Sequence, residues 1–184
     1  MKKLVVLYIL FFIGCSSTNY PWERGINFEH ALGKAEGKFV LLDFHSDNWG
    51  GCIRLEAETF TDPDVIEFSK QHFISLKYDA WNDSVGIEMI SNYKGSAIPL
   101  IIFINNSGEE VDRMVGYKPP KEYFAYINSI VDGKSTYLSL YNKFKSGDRS
   151  ENTLALLSKK SDNMKNDDLS NEIYSFISQN KNNF

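Results

Sequence analysis

Three short and almost uninterrupted apolar segments limit the ways in which this chain can fold. They are residues 39–44 (FVLLDF), 73–78 (FISLKY) and 99–105 (PLIIFIN). Short apolar runs of this kind are typical of strands that a sheet buries on both faces. Because helical patterns separate the runs, the chain is predicted to form an α/β domain in which helices cover both faces of a central sheet.

The segments around these runs carry the spacing and the end signals of helices. Phe28, Ala31 and Leu32 fall on one face of a helix that Gly37 is expected to close. Asp62 followed by Pro63 is typical of an N-cap and the first helical residue. The predicted helices before the third strand cover residues 27–36, 50–60, 63–71 and 84–93.

The remainder of the chain is predicted to close the sheet and then to become helical. A turn at residues 106–108 leads into residues 110–115, whose alternating pattern indicates a hairpin partner, and Pro119-Pro120 begins a closing helix. This order predicts a three-layer α/β/α sandwich. Residues 134–184 show three apolar stripes at helical spacing and no convincing strand, so they are predicted to form a helical C-terminal appendage.

The first residues have the pattern of an export signal. Two lysines precede an apolar run over residues 4–13, which is too short to span a bilayer comfortably. The run ends in Phe12-Ile13-Gly14-Cys15, which resembles the lipobox of bacterial lipoproteins. The resemblance implies that Cys15 is lipidated and that residues 16–23 tether an exported, envelope-bound domain to a membrane. An ordinary cleaved signal and an uncleaved anchor are the alternatives.

Charge and composition exclude several classes of function. The chain has 20 Lys and Arg against 24 Asp and Glu, a formal net charge of −4, whereas nucleic-acid binding requires a basic surface. Its three histidines are far apart and its two cysteines cannot form a Cys-rich zinc site. We therefore expect no nucleic acid, no metal and no cofactor.

The segment FVLLDFHSDNWGGCIRLEAETFTDPDV and the later YKGSAIPLIIF and GEEVDRMVGY resemble the thioredoxin superfamily, in particular its exported thioredoxin-like branch. The resemblance covers residues 24–132 in the same order of elements and implies the thioredoxin fold. It also implies a site for thiol-disulfide exchange, in which the first Cys of a Cys-x-x-Cys motif lies at a helix N-terminus that stabilises its thiolate. The second Cys then resolves the mixed disulfide.

The sequence departs from that motif at the attacking position. Aligned on Asp43, the motif reads Trp49-Gly50-Gly51-Cys52, so an indole replaces the first thiol and only the resolving position keeps its sulfur. The resemblance implies that one chain alone cannot carry out ordinary dithiol exchange. Two interpretations of Cys52 remain open, a lone redox thiol that forms mixed disulfides or a small buried core residue beneath Trp49.

Three more residues receive roles from the resemblance. Asp43 corresponds to a buried carboxyl that helps deprotonate the resolving thiol, and its apolar strand predicts a raised pKa. A carboxyl that is only hydrogen-bonded to nearby groups is the alternative. Pro99 corresponds to a cis-proline, and the residue before it, Ile98, offers its backbone to an extended polypeptide.

His45, near Asp47, is interpreted as a solvated loop histidine. The protein is thus predicted to be a redox-impaired polypeptide-binding module, with a monothiol redox protein as the alternative.

Overall fold

The computed structural model describes residues 19–165 and 167–179, and within them the chain forms one mixed sheet with helices on both faces. The sheet has the order β2-β1-β3-β4. β1 is parallel to β2 and antiparallel to β3, and β3 is antiparallel to β4. The strands are β1 (Phe39–His45), β2 (Phe73–Asp79), β3 (Leu100–Ile104) and β4 (Glu110–Val115).

Eight α-helices occur in the described residues, and their places match the predicted order. Asp62 caps α3 as expected, because its carboxylate accepts hydrogen bonds from the amides of Asp64 and Val65. The helices are α1 (Phe28–Gly33), α2 (Gly50–Arg54), α3 (Pro63–His72), α4 (Ser84–Asn92), α5 (Pro120–Asp132), α6 (Tyr137–Lys145), α7 (Glu151–Met164) and α8 (Asp167–Gln179).

The alternation of side chains along β1 divides the core into two layers. Leu41 points into the layer covered by α3 and α5, whereas Leu42 and Phe44 point into the layer covered by α1 and α4. Leu41, Leu42 and Phe44 are all fully buried. The predicted three-layer α/β/α sandwich is confirmed, and no helix of the described part is both long and apolar enough to cross a membrane.

Two helix ends differ from the sequence-based expectation. α1 ends at Gly33, and Lys34 is its cap. Gly37 lies three residues after that cap, in a turn that requires positive φ. The predicted helix over residues 50–60 is α-helical for its first turn and continues as a π-helix over Leu55–Thr59. There Phe60 donates its amide to the carbonyl of Leu55, and the wider turn keeps Leu55, Thr59 and Phe60 buried.

The described part of the predicted tether, residues 19–23, packs on the domain instead of hanging free. Tyr20 is buried against Phe60 and Trp22, and the amide of Glu23 donates to the carbonyl of Ser75 at the edge of β2. Aromatic side chains gain too much by leaving water for this segment to remain solvated. The predicted signal segment and Cys15 lie outside the described residues.

The helices of the C-terminal appendage share their own apolar cluster and dock on the edge strand β4. Asp112 is central to this contact, since it is buried, accepts the amide of Tyr137 and forms an ion pair with Lys160 of α7. The hydroxyl of Tyr126 also donates to Asp112. The buried carboxylate is therefore well supplied with partners, which a charge in this position requires.

A close approach between α4 and β2 makes Gly86 sensitive to substitution. A Cβ at Gly86 would lie 2.0 Å from the backbone oxygen of Asp79. We expect Gly86→Ala to lower the free energy of unfolding by about 3 kcal/mol, because helix and strand must separate. Urea denaturation measures this, and Gly33→Ala is the matched control, since nothing lies within 4 Å of its Cβ. Equal stability of the two variants would contradict the packing described.

Candidate functional site

The candidate site lies at the edge of the sheet where β1 and β2 both end. Because these strands are parallel, the loops that follow them meet at the same edge. The loop after β1 carries Trp49 and leads into α2, and the loop after β2 carries Trp81. The segment that precedes β3 brings Ile98 and Pro99 to the same place, as the contact of Pro99 with Gly51 shows.

Cys52 is the third residue of α2 and is only 3% exposed. Burial raises the pKa of its thiol, the nearby Asp43 carboxyl raises it further, and a hydrogen bond with the Ser46 backbone opposes both. A thiol with a raised pKa is largely protonated at neutral pH, and the protonated form is a poor nucleophile. Cys52 is the free cysteine of the described residues, and its thiol is buried.

Asp43 lies within β1 and is 1% exposed. Burial raises the pKa of this carboxyl to about 7, with Glu56 raising it and Lys77 lowering it. Lys77 is the register partner of Asp43 on β2 and forms an ion pair with Glu56. Within the described residues the Oδ1 atom of Asp43 has no hydrogen-bond partner. The raised pKa predicted from the apolar strand is therefore found, and it suits a group that gives and takes a proton near neutrality.

His45 is not the solvated loop residue that its sequence position indicated. It is the last residue of β1, it pairs in register with Asp79, and its side chain is 13% exposed. Burial lowers its pKa, and the positive charge of Lys77 lowers it further. The lowered pKa favours the neutral imidazole. His45 lies in the sheet because β1 runs one residue further than the apolar pattern showed.

A cavity of about 330 Å³ opens in front of Cys52, on the side of the helix that faces His45 and Glu56. Trp49 is not among the described residues that line it. The indole instead packs edge-on against Trp81, with ring centroids 5.7 Å apart, and is 47% exposed. Trp49 therefore forms a half-exposed aromatic pair with Trp81.

Pro99 follows a cis peptide bond, as the family resemblance implied. Its ring lies against α2, since a Cβ on Gly51 would be 3.0 Å from its Cδ. In residues 19–165, the backbone hydrogen bonds outside regular elements include neither the amide nor the carbonyl of Ile98. Among these residues the Ile98 main chain therefore has no hydrogen-bond partner, although Ile98 as a whole is buried, at 8% exposed.

The turn that carries Trp81 is held by a single carboxylate. Asp79 accepts hydrogen bonds from the amides of Trp81 and Asn82 and from the Asn82 side chain. These bonds lower the pKa of Asp79 to about 2. Trp81, 52% exposed, is thus presented on an ordered turn rather than on a loose loop. No group of three or more potential metal ligands occurs among the residues that the structure describes.

A family model described as a thioredoxin-like domain matches residues 29–130, which is more than half of the chain. The chain belongs to the thioredoxin-like family. This confirms the superfamily resemblance, and it places the thioredoxin-like domain over the sheet and helices α1 to α5. The protein is a thioredoxin-fold relative of thiol-disulfide oxidoreductases.

Named relatives agree with this assignment. The thiol:disulfide interchange protein DsbD of Tatumella citrea is 26% identical over 105 residues, which are 55% of this chain and 18% of that protein. The DsbD 2 protein of Pseudomonas aeruginosa is 35% identical over 81 residues, 44% of this chain and 14% of that protein. The chain thus spans less than a fifth of the length of these curated relatives.

Solved structures share the fold. A Bacteroides thetaiotaomicron protein proposed to be a disulphide isomerase is 32% identical, with a TM-score of 0.53 over 61% of this chain and 93% of that one. The DsbH oxidoreductase is 18% identical, with a TM-score of 0.54 over 72% of this chain and 94% of that one. The second of these likenesses shows the fold alone.

Sequence reasoning missed three residues that the fold brings to the site. Glu56 and Lys77 flank Asp43 and adjust its charge, and Trp81 pairs with Trp49. The position of Trp81 could have been predicted, because Trp81 closely follows a strand parallel to β1. The ends of two parallel strands lie at the same edge of the sheet. Nothing in the spacing of Glu56 and Lys77 indicated that they pair.

Proposed function

We propose that this chain is a redox-impaired thioredoxin-like module that binds extended polypeptide at the cell envelope. The observation that carries the proposal is the unpaired main chain of Ile98, which lies beside an exposed pair of indoles and a buried thiol with a raised pKa. Lipidation of Cys15 would hold the module on a membrane, as the lipobox-like sequence around it suggests.

The redox impairment follows from the identity of the residue at the N-terminus of α2. Thiol-disulfide exchange begins when an accessible thiolate attacks a disulfide sulfur. The helix N-terminus, where such a thiolate would be stabilised, carries Trp49 as its N-cap residue instead. Cys52 lies further along the helix, buried and protonated, so it is a poor first nucleophile.

Polypeptide binding suits two features of the site, a main chain without a hydrogen-bond partner and an exposed aromatic pair. An extended segment can pair with the free amide and carbonyl of Ile98, as strands do when they add to an exposed main chain. Trp49 and Trp81 supply apolar area and aromatic faces next to that main chain. Exposed tryptophans are the residue type most enriched among dominant binding contacts, so their presence here favours a partner over solvent.

The cavity in front of Cys52 supports the alternative function, a monothiol redox protein. Its volume of about 330 Å³ would admit a small thiol or one side chain of a partner. Deprotonated Cys52 would attack a partner's disulfide, form one mixed disulfide and release one partner thiolate, with Asp43 taking the Cys52 proton. A second thiol, from the partner or from a small molecule, would then restore Cys52.

Removing both indoles is expected to weaken polypeptide binding about tenfold or more, since buried tryptophan contacts dominate such interfaces. The measurement is fluorescence anisotropy of fluorescein-labelled, carboxymethylated insulin B chain with wild type and with Trp49→Ala/Trp81→Ala. Ile87→Ala is the matched control, because its side chain is as exposed as that of Trp49 but lies on α4.

Cys52→Ala separates the two functions. Under the binding proposal it leaves the affinity for the carboxymethylated chain unchanged, since no sulfur chemistry is involved. Under the monothiol alternative, mild oxidation with an unblocked disulfide-containing polypeptide yields a reductant-sensitive adduct that Cys52→Ala cannot form. Such an adduct, together with no measurable binding of the carboxymethylated chain, would overturn the proposal.

A further inference from the structure

A trough runs from the cis-proline segment towards the C-terminal appendage. Two adjoining cavities of about 80 and about 500 Å³ form it, and both are lined by Lys94, Arg113 and Lys165. The smaller cavity also reaches Ser96 and Ala97, which directly precede Ile98. The C-terminal appendage therefore forms one wall of this trough. The trough begins next to Ile98, whose main chain is proposed to pair with the polypeptide.

The charges in this trough are unevenly matched. Arg113 is buried and is held by both carboxylate oxygens of Glu110, at 2.5 and 2.6 Å, so its charge is satisfied inside the protein. Asp162 accepts hydrogen bonds from the hydroxyls of Ser170 and Tyr174. Lys94 and Lys165 are exposed, and neither has an ion pair with any residue that the structure describes.

The acidic groups of the trough lie mainly at its far end. Asp167 and Asp168, in the first turn of α8, line the larger cavity but not the smaller one. In the smaller cavity the two lysines outnumber the single carboxylate of Asp162, and the same lysines also line the larger cavity together with Asp167 and Asp168. This end of the trough is suited to a negative group from outside.

Both lysines also occupy a backbone region that glycine or asparagine usually takes. Lys94 has φ of 52° just after α4, and Lys165 has φ of 54° as the cap of α7. Non-glycine residues in this region are uncommon and carry a conformational cost. Lysine at both helix ends is thus not explained by the backbone, although a cation near a helix C-terminus is favourable.

We propose that this trough binds acidic side chains of the polypeptide whose main chain pairs with Ile98. The proposal rests on the proposed function and names its substrate class, extended segments with Asp or Glu a few residues from the paired position. An extended chain advances about 3.3 Å per residue, so residues flanking the paired one pass Ser96 and Ala97 and reach the lysines. Lys94 and Lys165 would then each contact a carboxylate.

Three fluorescein-labelled dodecapeptides with the same apolar centre, flanked by Glu, Gln or Lys, test the proposal by anisotropy at low salt. We expect the Glu peptide to bind about fivefold more tightly than the Gln peptide, and the advantage to shrink as salt is added. Lys94→Asn/Lys165→Asn should abolish the advantage and leave the Gln peptide unaffected, because asparagine tolerates the same backbone. Lys145→Gln, which removes an exposed lysine of α6, should preserve it.

The outcomes distinguish this proposal from the proposed function. If the Gln and Glu peptides bind equally well, the acidic preference is refuted while polypeptide binding stands. If none of the three peptides binds to the folded protein, polypeptide binding fails and the acidic preference fails with it. Preference for Glu that survives the double asparagine variant would place the acidic contact elsewhere and overturn the assignment to the trough.

Discussion

Trp49→Cys is expected to convert the protein into an active dithiol reductase. The introduced thiol would occupy the N-cap of α2, where the amides of Gly50, Gly51 and Cys52 are not bonded within the helix. At such sites a thiol pKa falls from about 8.5 to about 7, which raises the thiolate fraction at neutral pH by about tenfold or more. Cys52 would lie one turn away, placed to resolve the mixed disulfide.

The reaction uses groups that the site already holds. The introduced thiolate attacks an insulin disulfide and releases one insulin thiolate, and Cys52 then attacks the mixed disulfide and releases the second. Asp43, with its pKa raised to about 7, can accept the proton that Cys52 loses. The wild type should stay near the rate of dithiothreitol alone, because its one sulfur at the site is buried.

Insulin turbidity in the presence of dithiothreitol measures this gain. Trp49→Ser is the matched control, since it removes the indole without adding sulfur, and Trp49→Cys/Cys52→Ser tests the resolving step. If Trp49→Cys folds normally but reduces insulin no faster than Trp49→Ser, the segment is not a disabled exchange site, and the correspondence of Trp49 with an attacking cysteine fails.

Asp43→Asn is expected to stabilise the protein at alkaline pH and to leave it unchanged at acid pH. The folded-state pKa of Asp43 is raised to about 7, whereas an unfolded aspartate titrates near 3.9. Between these values the folded chain holds a proton that the unfolded chain has lost. Asp43 therefore costs no free energy of unfolding below about pH 4, and the cost grows as the pH rises through about 7. The loss amounts to about 4 kcal/mol at full ionisation.

Asparagine cannot ionise, so the variant lacks this loss. Urea denaturation of both proteins from about pH 4 to about pH 8 should give curves that coincide at the acid end and diverge by up to about 4 kcal/mol at the alkaline end. Asp79, whose pKa is lowered to about 2, titrates below this pH range and does not contribute to the difference between the two curves. Parallel curves across the whole range would show that Asp43 is ionised in the folded protein.

The strands and most helix ends could be read from single segments. The apolar runs, the Asp62 cap and the Pro119-Pro120 start are local patterns, and the structure has each of them where it was predicted. The π-helical turn after α2 and the burial of Tyr20 were not predictable in this way. Both depend on what the segment packs against, and Thr59, for example, donates its hydroxyl to the carbonyl of Lys118, far along the chain.

The residues of single segments are enough to give the strand pattern, the one sulfur of the motif at position 52, the indole at 49 and the proline at 99. Packing of the whole chain is needed to bring Lys77 and Glu56 near Asp43, Trp81 against Trp49, and Lys165 into the cavity that Ser96 and Ala97 line. Periodicity and capping act within one segment, whereas strand order and register set which distant residues meet. The charge of the buried carboxyl and the shape of the binding surface both depend on those meetings.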